Sequence, residues 1–315
     1  MRVHVVYRYY AGENMKDRPA GYSKTLCLQS FLRAVESADV DVTFLTDGPA
    51  TSTDRPLMES VGTVVQLPGV GMRGSYLAAL RYATSGRWPD EDFVLFSEDD
   101  YLFRPDALVK LTRAVEALPD VDYLALYGGP PNPEVTTDNA LNARVPAGWR
   151  TLPPWEVDGD RWVQIDNTTS SFGGRVGALT EDMGVFRFCM VPHKNMLRDH
   201  DTGLLLQGYE PYPYAPLVKA MVGLAPGDRR ERVRSAVLAP FYLATNLRAH
   251  RRASRRRLFL AASPNLATHM ETGLMAAGTD WAAVAEDVRR WAAPRPVGDP
   301  AAVEPPVRPG ARAGG

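Results

Sequence analysis

The amino-acid sequence predicts an α/β fold: a mostly parallel sheet flanked by helices, with a mixed second half. Over the first 130 residues, short apolar runs alternate with longer segments whose apolar residues have helical spacing. Such alternation is typical of parallel sheets with helices on both faces. Acidic residues follow two of the apolar runs directly, at Asp47 and at residues 98–100. Because ligands bind beyond the carboxyl ends of such strands, we expect these acids to share one crevice.

The individual elements of the first part follow from the apolar runs and their start and stop signals. Ser23 is a candidate N-cap for the first helix, and Pro105 opens a later helix at the position where proline suits the first turn. The predicted strands are residues 2–7, 41–48, 63–67, 93–97 and 122–129. The predicted helices are residues 23–37, 74–86 and 105–118.

The second part has a less regular pattern. Short strands and irregular loops are expected to residue 180, followed by a mixed segment with one or two helices to residue 224. The elements expected after it are a basic helix within 229–257, a strand that ends near His269, and a closing helix within 279–293 capped by Thr279 or Asp280. The Pro-, Gly- and Ala-rich residues 293–315 are expected to be a disordered tail.

Composition and net charge are typical of a globular protein and argue against a nucleic-acid-binding one. Apolar residues make up 45% of the 315, and the net charge of −1 gives no field that attracts nucleic acid. The sequence also lacks zinc-ligand spacings and RNA-motif aromatics, so no nucleic-acid partner is expected. No apolar run reaches the roughly 18 residues of a membrane span, and the first residues lack a signal-peptide pattern. A cytoplasmic protein without a transmembrane segment is therefore expected, and the Ala-, Arg- and Pro-rich composition suggests a bacterial one.

The stretch FVLFSEDDYLF, residues 93–103, places three carboxylates directly after a buried strand. Adjacent like charges repel, and a bound cation lowers the cost of holding them together. On an extended strand end, Glu98 and Asp100 project to one side and Asp99 to the other. Two hard oxygen ligands on one face suit Mg²⁺ or Mn²⁺ that takes its other ligands from substrate phosphates. The alternative is a solvated acidic turn that precedes the helix at Pro105.

The segment FVLFSEDDYLFRPDAL resembles the acidic-motif strand and following helix of nucleotide-sugar-dependent glycosyltransferases of the GT-A fold, most closely the family-2 group. Their Asp-x-Asp motif corresponds to Glu98-Asp99-Asp100. Asp47 in FLTDG matches the acid that contacts the nucleotide base, and His269 matches a late histidine that reaches the metal or the diphosphate. The resemblance covers the first 130 residues in order and spacing and returns near His269.

Two departures from the family pattern qualify the resemblance. The first acid is Glu98 rather than Asp, and Pro49 stands where a small polar residue is usual. The Gln-x-x-Arg-Trp motif of processive polysaccharide synthases is also absent, which favours transfer of a single sugar. The resemblance implies three regions: a nucleotide-sugar and metal-binding half at 1–130, an acceptor-binding half of the same GT-A domain at 131–292, and the tail at 293–315.

The resemblance implies a metal-dependent glycosyltransferase that moves one sugar from a nucleotide-diphosphate donor to an acceptor hydroxyl. The expected cofactor is Mn²⁺ or Mg²⁺, held by Glu98, Asp100 and His269. The expected donor-binding residues are Arg8, Tyr9, Asp47, Arg73, Ser75 and Asp99. The expected catalytic base is Asp199 or Asp201, with Glu181 and Asp182 as further candidates. A UDP-sugar is expected from its frequency alone, and the acceptor is left open as a small molecule, a glycan or a lipid-linked molecule.

Two other functions remain open at this point. A sugar-phosphate nucleotidyltransferase would carry a glycine-rich GxGTR-like loop after the first strand, which AGENMKDRPAG does not match. A non-catalytic nucleotide-sugar binding protein would retain the binding residues without turnover. The six arginines within 248–257 suggest weak, peripheral contact with anionic lipid, although a solvated helical surface is the preferred interpretation.

Overall fold

The computed structural model describes residues 1–12, 16–131, 145–168, 171–191, 197–252 and 255–293. Its strands are β1 Val3–Tyr10, β2 Val40–Asp47, β3 Thr63–Leu67, β4 Phe93–Glu98, β5 Tyr101–Phe103, β6 Tyr123–Ala125, β7 Trp155–Val157, β8 Asp160–Gln164, β9 Gly173–Arg175, β10 Phe259–Ser263 and β11 Ala267–His269. Its helices are α1 Lys24–Val35, α2 Asp54–Glu59, α3 Gly71–Ala83, α4 Ala107–Ala117, α5 Val176–Cys189, α6 Asp199–Leu206, α7 Tyr214–Met221, α8 Arg229–Arg252 and α9 Trp281–Ala292. Nearly all of the predicted tail lies outside the described residues.

One sheet of nine strands organises the chain, in the order β3-β2-β1-β4-β9-β6-β10-β8-β7. The pairs β3-β2, β2-β1 and β1-β4 are parallel, as is β6-β10, whereas β9 runs antiparallel between β4 and β6. The last two strands, β8 and β7, are antiparallel additions. The predicted α/β class, with a parallel sheet first and a mixed part second, is therefore confirmed.

Side chains of β1 alternate between two apolar cores, as a strand buried on both faces requires. Val5 and Tyr7 belong to a core that contains residues of α1 and α4. Val6 belongs to a second core that contains residues of α3 and α5. Helices therefore cover both faces of the parallel strands, and both cores reach the strand ends that carry the acids.

Two glycines allow β9 to pass between its antiparallel neighbours. A Cβ on Gly173 would lie 2.2 Å from the ring of Phe93, and one on Gly174 would lie 2.7 Å from the ring of Tyr123. Neither distance is sterically allowed, so any larger residue would push β4 and β6 apart. The sequence pattern SSFGGR thus serves the sheet itself.

Several element boundaries differ from the sequence prediction. The six-residue helix α2 and the three-residue strand β5 were not predicted, because both are too short to show a periodic pattern. Helix α3 begins at Gly71 rather than at residue 74. By contrast, the caps were predicted correctly: Ser23 accepts a hydrogen bond from the amide of Leu26, and Asp280 accepts one from Ala283.

The arginine run within 248–257 is not simply a solvated surface, which corrects the preferred interpretation. Arg252 and Arg257 donate hydrogen bonds to the buried carboxylate of Asp182 on α5. The guanidinium of Arg248 lies 3.9 Å from the ring centre of Phe188. These contacts attach the end of α8 to α5, so this part of the run stabilises the fold. Within the described residues, no helix is both long and apolar enough to cross a bilayer.

Candidate functional site

The carboxyl ends of β2, β1 and β4 meet at one edge of the sheet. Strand β1 lies between the other two, and Tyr10 is in register with Asp47 while Arg8 is in register with Glu98. Adjacent strands lie roughly 4.8 Å apart, so two strand spacings separate Asp47 from the acidic cluster. Both acids thus lie at the same edge of the sheet, and the crevice they are expected to share stays a prediction.

Glu98 is held by Arg8, which the sequence placed among the donor-binding residues. One guanidinium nitrogen of Arg8 donates to Glu98 Oε1 at 2.8 Å, and the other donates to Ser75 Oγ and to the carbonyl of Met72, both at 3.0 Å. Arg8 is only 6% exposed, so these contacts form away from water. Arg8 and Ser75 are thus brought together with the acidic cluster, and they connect it to the start of α3.

The surroundings of Glu98 raise the pKa of its carboxyl group. Burial, together with the charges of Asp100 and Asp199, raises the pKa of Glu98 to about 7, although Arg8 and Lys16 oppose the shift. The charge of Asp199 acts on Glu98 across 101 positions of sequence.

Asp99 has separate partners at the end of β1 and the start of α1. Its Oδ2 accepts a hydrogen bond from the amide of Tyr10 at 2.9 Å and lies 3.3 Å from Lys24 Nζ. Burial raises the pKa of Asp99, with Asp100 adding to the shift and Lys24 opposing it.

Residues 99 and 100 form a turn between β4 and β5 rather than an extended strand end. The alternating projection expected for Glu98 and Asp100 therefore does not apply, and the three acids have three different sets of hydrogen-bond partners.

Asp100 is the most enclosed acid of the cluster, at 2% exposure. Its Oδ2 lies 3.0 Å from Arg18 Nη2, 3.1 Å from His269 Nε2 and 3.3 Å from Lys16 Nζ. Burial opposes ionisation, but the hydrogen bond to His269 and the charges of His269, Lys16 and Arg18 outweigh it and hold the pKa of Asp100 below its usual range. Its other oxygen, Oδ1, is buried and has no hydrogen-bond partner within the described residues.

The antiparallel pairing of β11 with β5 places His269 beside this carboxylate. His269 is in register with Tyr101, the residue that follows Asp100, and the two rings stack with centres 5.1 Å apart. At 2% exposure the imidazole is as buried as Asp100. The sequence therefore identified His269 correctly as a neighbour of the acidic cluster, although 169 positions separate it from Asp100.

Lys16 lies at the centre of this group and was not predicted from the sequence. Its Nζ is 3.1 Å from His269 Nε2, 3.2 Å from Glu271 Oε2 and 3.3 Å from Asp100 Oδ2. Burial would lower the pKa of Lys16, but the charges of Asp100, Glu98 and Glu271 raise it instead. A signal for Lys16 and Arg18 was present in the basic residues of MKDR, in the loop that follows the first strand.

The fit of a divalent metal to this site is partial. Among the residues that the structure describes, no group of three or more His, Cys, Asp or Glu side chains is arranged to hold a metal ion. The unpartnered oxygen of Asp100 and the adjacent imidazole of His269 do fit a cation that completes its shell with substrate phosphates. Glu98 is engaged by Arg8 and is not part of this pair. The three-ligand set remains a prediction, of which two members are adjacent.

The other predicted donor residues have different settings. Asp47 is buried, and its two oxygens accept the amides of Val70 and Gly71 at 2.7 Å, which explains why α3 begins three residues early. Arg73 lines a groove of about 320 Å³ between α3 and α5, which also contains Arg187.

Tyr9 requires a correction. Its side chain points into the apolar core, where its hydroxyl donates to the buried carboxylate of Asp54 at 2.9 Å. Burial and this hydrogen bond raise the pKa of Tyr9 to about 12. Neighbouring residues of a strand face opposite sides of the sheet, so Arg8 and Tyr9 cannot both point toward one ligand. Only the backbone of Tyr9 lies at the edge.

Asp201, Asp182 and Glu181, three of the candidate bases, form ion pairs with arginines. Asp201 is 3% exposed and accepts from Arg198 Nε at 2.6 Å and from the hydroxyl of Tyr212 at 2.8 Å. Asp182 is bonded by Arg252, Arg257 and Tyr123. Glu181 is 68% exposed on its side chain and pairs with Arg257.

Asp199 is placed differently from these three acids. It is the first residue of α6, and its charge raises the pKa of both Glu98 and Tyr76. Helix α6 can approach the sheet because of Gly203, where a Cβ would lie 2.3 Å from the carbonyl oxygen of Asp166. The charge of Asp199 therefore acts on Glu98, and its role as the base stays a prediction.

No family model and no curated protein matches the sequence. Among solved structures, the chain is similar to S. aureus TarS 1–349, with 14% identity over 81% of this chain and 73% of that chain and a TM-score of 0.41. The same TarS segment in complex with UDP-GlcNAc gives 14% identity over 78% and 73%, with a TM-score of 0.40. CMP:2-keto-3-deoxy-manno-octonic acid synthetase complexed with CTP gives 14% identity over 62% and 80%, with a TM-score of 0.37. These are similarities of fold at low sequence identity.

Proposed function

We propose that this protein is a glycosyltransferase that moves one sugar from a nucleotide-diphosphate donor to an acceptor hydroxyl. The observation that carries the proposal is the Asp100 cluster, a buried carboxylate with one unpartnered oxygen at the carboxyl edge of a parallel sheet. Its other oxygen is surrounded by Lys16, Arg18 and His269. The negative charge of Asp100 is fixed, whereas the positive charge of Lys16 can move. Such a site suits a diphosphate and its counter-ion.

The cationic residues of the loop after β1 are proposed to bind the donor's diphosphate. Lys16 is one-third exposed on its side chain, so its ammonium group can move from Asp100 toward a phosphate oxygen. Arg18 is more enclosed and also donates to the carbonyl of Met270, so it stays near Asp100 and fixes the position of the loop. We propose that these side chains orient the leaving group and stabilise the charge that develops on it.

Asp100 and His269 are proposed to hold a divalent cation, Mn²⁺ or Mg²⁺, once Lys16 has moved toward the donor. When bound, such an ion supplies Lewis-acid stabilisation of the leaving diphosphate. The ammonium of Lys16, which lies within 3.3 Å of both side chains, supports the proposal because it marks a point where positive charge is stable. Glu98 is proposed to keep Arg8 in place, and Asp99 to accept a hydroxyl of the donor's ribose or sugar.

Asp199 is proposed to be the general base that takes the proton of the acceptor hydroxyl. Asp201 and Asp182 are each bonded to an arginine and a tyrosine in the interior, which leaves them unsuited to contact a substrate. The charge of Asp199 raises the pKa of Glu98, which supports a place for Asp199 in the same site. A positioned base of this kind contributes about a hundredfold to ten-thousandfold in rate.

The experiment combines a panel of nucleotide sugars and acceptors with the variant Asp199→Asn. We expect wild-type protein to release nucleoside diphosphate from one donor, and the variant to lose at least about a hundredfold in transfer while binding the donor equally well. Asp280→Asn is the matched control, because Asp280 also begins a helix but caps α9 far along the chain. Full transfer by Asp199→Asn would reject the assignment of the base.

The same panel tests the two alternatives. A sugar-phosphate nucleotidyltransferase would release pyrophosphate from a nucleoside triphosphate and a sugar 1-phosphate, and no free nucleoside diphosphate would form. A non-catalytic binding protein would show donor-dependent thermal stabilisation without product. Either result would overturn the proposed glycosyl transfer.

A further inference from the structure

Helices α7 and the first half of α8 form a hairpin, residues 214–238, that exposes an unusual amount of apolar surface. Seven of the seventeen exposed large apolar side chains in the described part of the chain lie within it. Leu224 and Val237 are the most exposed of all, at 71% and 72%. The others in the hairpin are Tyr214, Val218, Met221, Val222 and Val233. A concentration of this kind on one segment marks an interaction surface.

The hairpin does not need these side chains for its own packing. A separate small core anchors it to the protein, formed around Leu217, Ala220, Ala239 and the stacked rings of Tyr212 and Tyr242. The exposed residues lie at other positions of the two helices or, for Val222 and Leu224, in the connection between them, and none is part of that core. They are therefore free to contact a partner while the hairpin keeps its conformation.

Basic side chains surround the apolar residues. Lys219, Arg229, Arg230, Arg232 and Arg234 are all exposed, and within the described residues none of them takes part in an ion pair found at 4.0 Å or less. The two acids of the hairpin, Asp228 and Glu231, exchange hydrogen bonds with each other's amides at the start of α8. Residues 218–238 contain five cations and two anions, whereas the whole chain has a net charge of −1.

The pattern on α8 places charge beside apolar surface. Val233 and Val237 are four residues apart and share one face of the helix. Arg230 and Arg234 lie within a turn of the same face. Long arginine side chains at such positions can extend past an apolar surface to reach phosphate groups above it.

We propose that the α7–α8 hairpin docks on the surface of an anionic lipid bilayer. Its apolar residues would enter the headgroup boundary, and its arginines and Lys219 would bind lipid phosphates and carboxylates. A second copy of the chain is the less suitable occupant, because a symmetric contact would bring two hairpins of net positive charge together. The inference does not depend on the proposed function. It differs from the lipid contact expected at residues 248–257, where arginines pair with Asp182 or stack on aromatic rings.

The test is sedimentation of the full chain with vesicles of phosphatidylcholine containing about one-third phosphatidylserine. We expect binding that falls as salt rises from about 0.1 M to about 1 M, and little binding to pure phosphatidylcholine. Arg230→Gln/Arg234→Gln should weaken partitioning about twentyfold, since each basic residue near such a surface contributes about fivefold. Val222→Ser/Leu224→Ser should weaken it by at least about tenfold.

Two control variants make the result specific to the hairpin. Arg251→Gln/Arg255→Gln removes exposed arginines of the 248–257 run, and Val61→Ser/Leu152→Ser removes exposed apolar residues elsewhere. Both should bind vesicles as the wild type does, and all variants should keep its melting temperature. Equal loss in the controls, no binding to anionic vesicles, or a concentration-dependent dimer that the hairpin variants abolish would each overturn the proposal.

Discussion

Two buried aspartates, Asp100 and Asp182, have similar surroundings. They differ in how their hydrogen-bond partners are divided between the two carboxylate oxygens. Each is no more than 2% exposed and has two cationic side chains close to it. Both oxygens of Asp182 accept hydrogen bonds, one from Arg252 and the other from Arg257 and the hydroxyl of Tyr123. Asp100 has all of its partners on one oxygen, and its other oxygen has none within the described residues.

The difference separates an ion pair that supports the fold from one that is available for a ligand. A buried polar atom without a partner costs free energy, so it is retained mainly where something else satisfies it. The partners also differ in mobility: Lys16 is one-third exposed, whereas Arg252 and Arg257 are at most one-fifth exposed on their side chains. Burial and charge do not distinguish the two aspartates. The distribution of hydrogen-bond partners over their oxygens does.

The largest expected effect is the loss of transfer in Asp100→Asn. The change keeps the shape of the side chain and removes the charge that is proposed to hold the cation. We expect transfer to fall by about a thousandfold or more, because an ion of this kind contributes several kcal/mol to the transition state. Stability should also fall, by about 3 kcal/mol, because Arg18 and His269 stay enclosed without their charged partner even if Lys16 turns into water. Kinetics and thermal unfolding of the same preparation measure both quantities.

Glu271→Gln is the control for that variant. It removes another negative charge beside Lys16 and leaves Asp100 and His269 in place. We expect it to keep most of its activity. Full activity in Asp100→Asn, or an equal loss in Glu271→Gln, would remove Asp100 from its proposed role.

Asp182→Asn should lower stability without affecting transfer. Breaking a buried ion pair leaves two arginines without their charged partner, which costs about 3 kcal/mol in the free energy of unfolding. Transfer by the folded fraction should stay unchanged, because Asp182 lies on α5, where it pairs with the end of α8. Glu181→Gln is the matched control: it pairs with the same Arg257 from the surface and should cost about 0.5 kcal/mol. Urea unfolding compares the two variants, and an equal loss in both would contradict the distinction drawn here.

Asp201, like Asp182, is a buried aspartate in an ion pair. Its contribution to the free energy of unfolding should depend on pH. Burial opposes its ionisation, but His200, Arg198 and Tyr212 together lower the pKa of Asp201 below its ordinary value. A carboxyl with a lowered pKa in the folded state stabilises the protein above its unfolded pKa, near 4, and loses that contribution as the pH falls through the folded value. Asp201→Asn should therefore cost about 2 kcal/mol at pH 7 and progressively less below about pH 4. Urea unfolding across this range measures it, and a constant difference at every pH would contradict the argument.

The sequence predicted the parallel strands and the shared edge because both depend on local pattern. Apolar runs with acidic residues at their ends are visible in one dimension, and the rule that strand carboxyl ends carry the site does the rest. The family pattern also pointed to His269, which lies beside Asp100, and its role as a metal ligand stays a prediction. What could not be predicted was the geometry of residues 99 and 100. Their turn into β5 depends on the pairing of β5 with β11, which lies over 160 positions away.

The choice among the candidate bases shows the same limit. Asp182, Asp199 and Asp201 are all acids on helices, and nothing local distinguishes them. Their roles are set by arginines at other positions: Arg252 and Arg257 for Asp182, and Arg198 for Asp201. Side-chain pairing at long range is tertiary information. A sequence pattern can nominate such residues, but it cannot assign them.

The smallest expected effect concerns Lys16, the partly exposed cation beside Asp100. If its ammonium competes with a divalent ion for Asp100 and His269, Lys16→Met should increase the affinity for Mn²⁺ about tenfold, because it removes a positive charge about 3 Å from the ligands. Lys24→Met is the matched control, since Lys24 belongs to the same part of the chain but lies beside Asp99. Calorimetric titration of the purified protein measures both affinities.

The result for Lys16 decides which positive charge faces the donor. Stronger Mn²⁺ binding in Lys16→Met, with transfer that a chelator abolishes, would support exchange of the ammonium for the ion. Unchanged Mn²⁺ affinity, together with loss of transfer and resistance of the wild type to chelation, would mean that Lys16 itself provides the charge. The buried, unpartnered oxygen of Asp100 favours the first outcome, because an ammonium that already satisfied the site would leave no such atom.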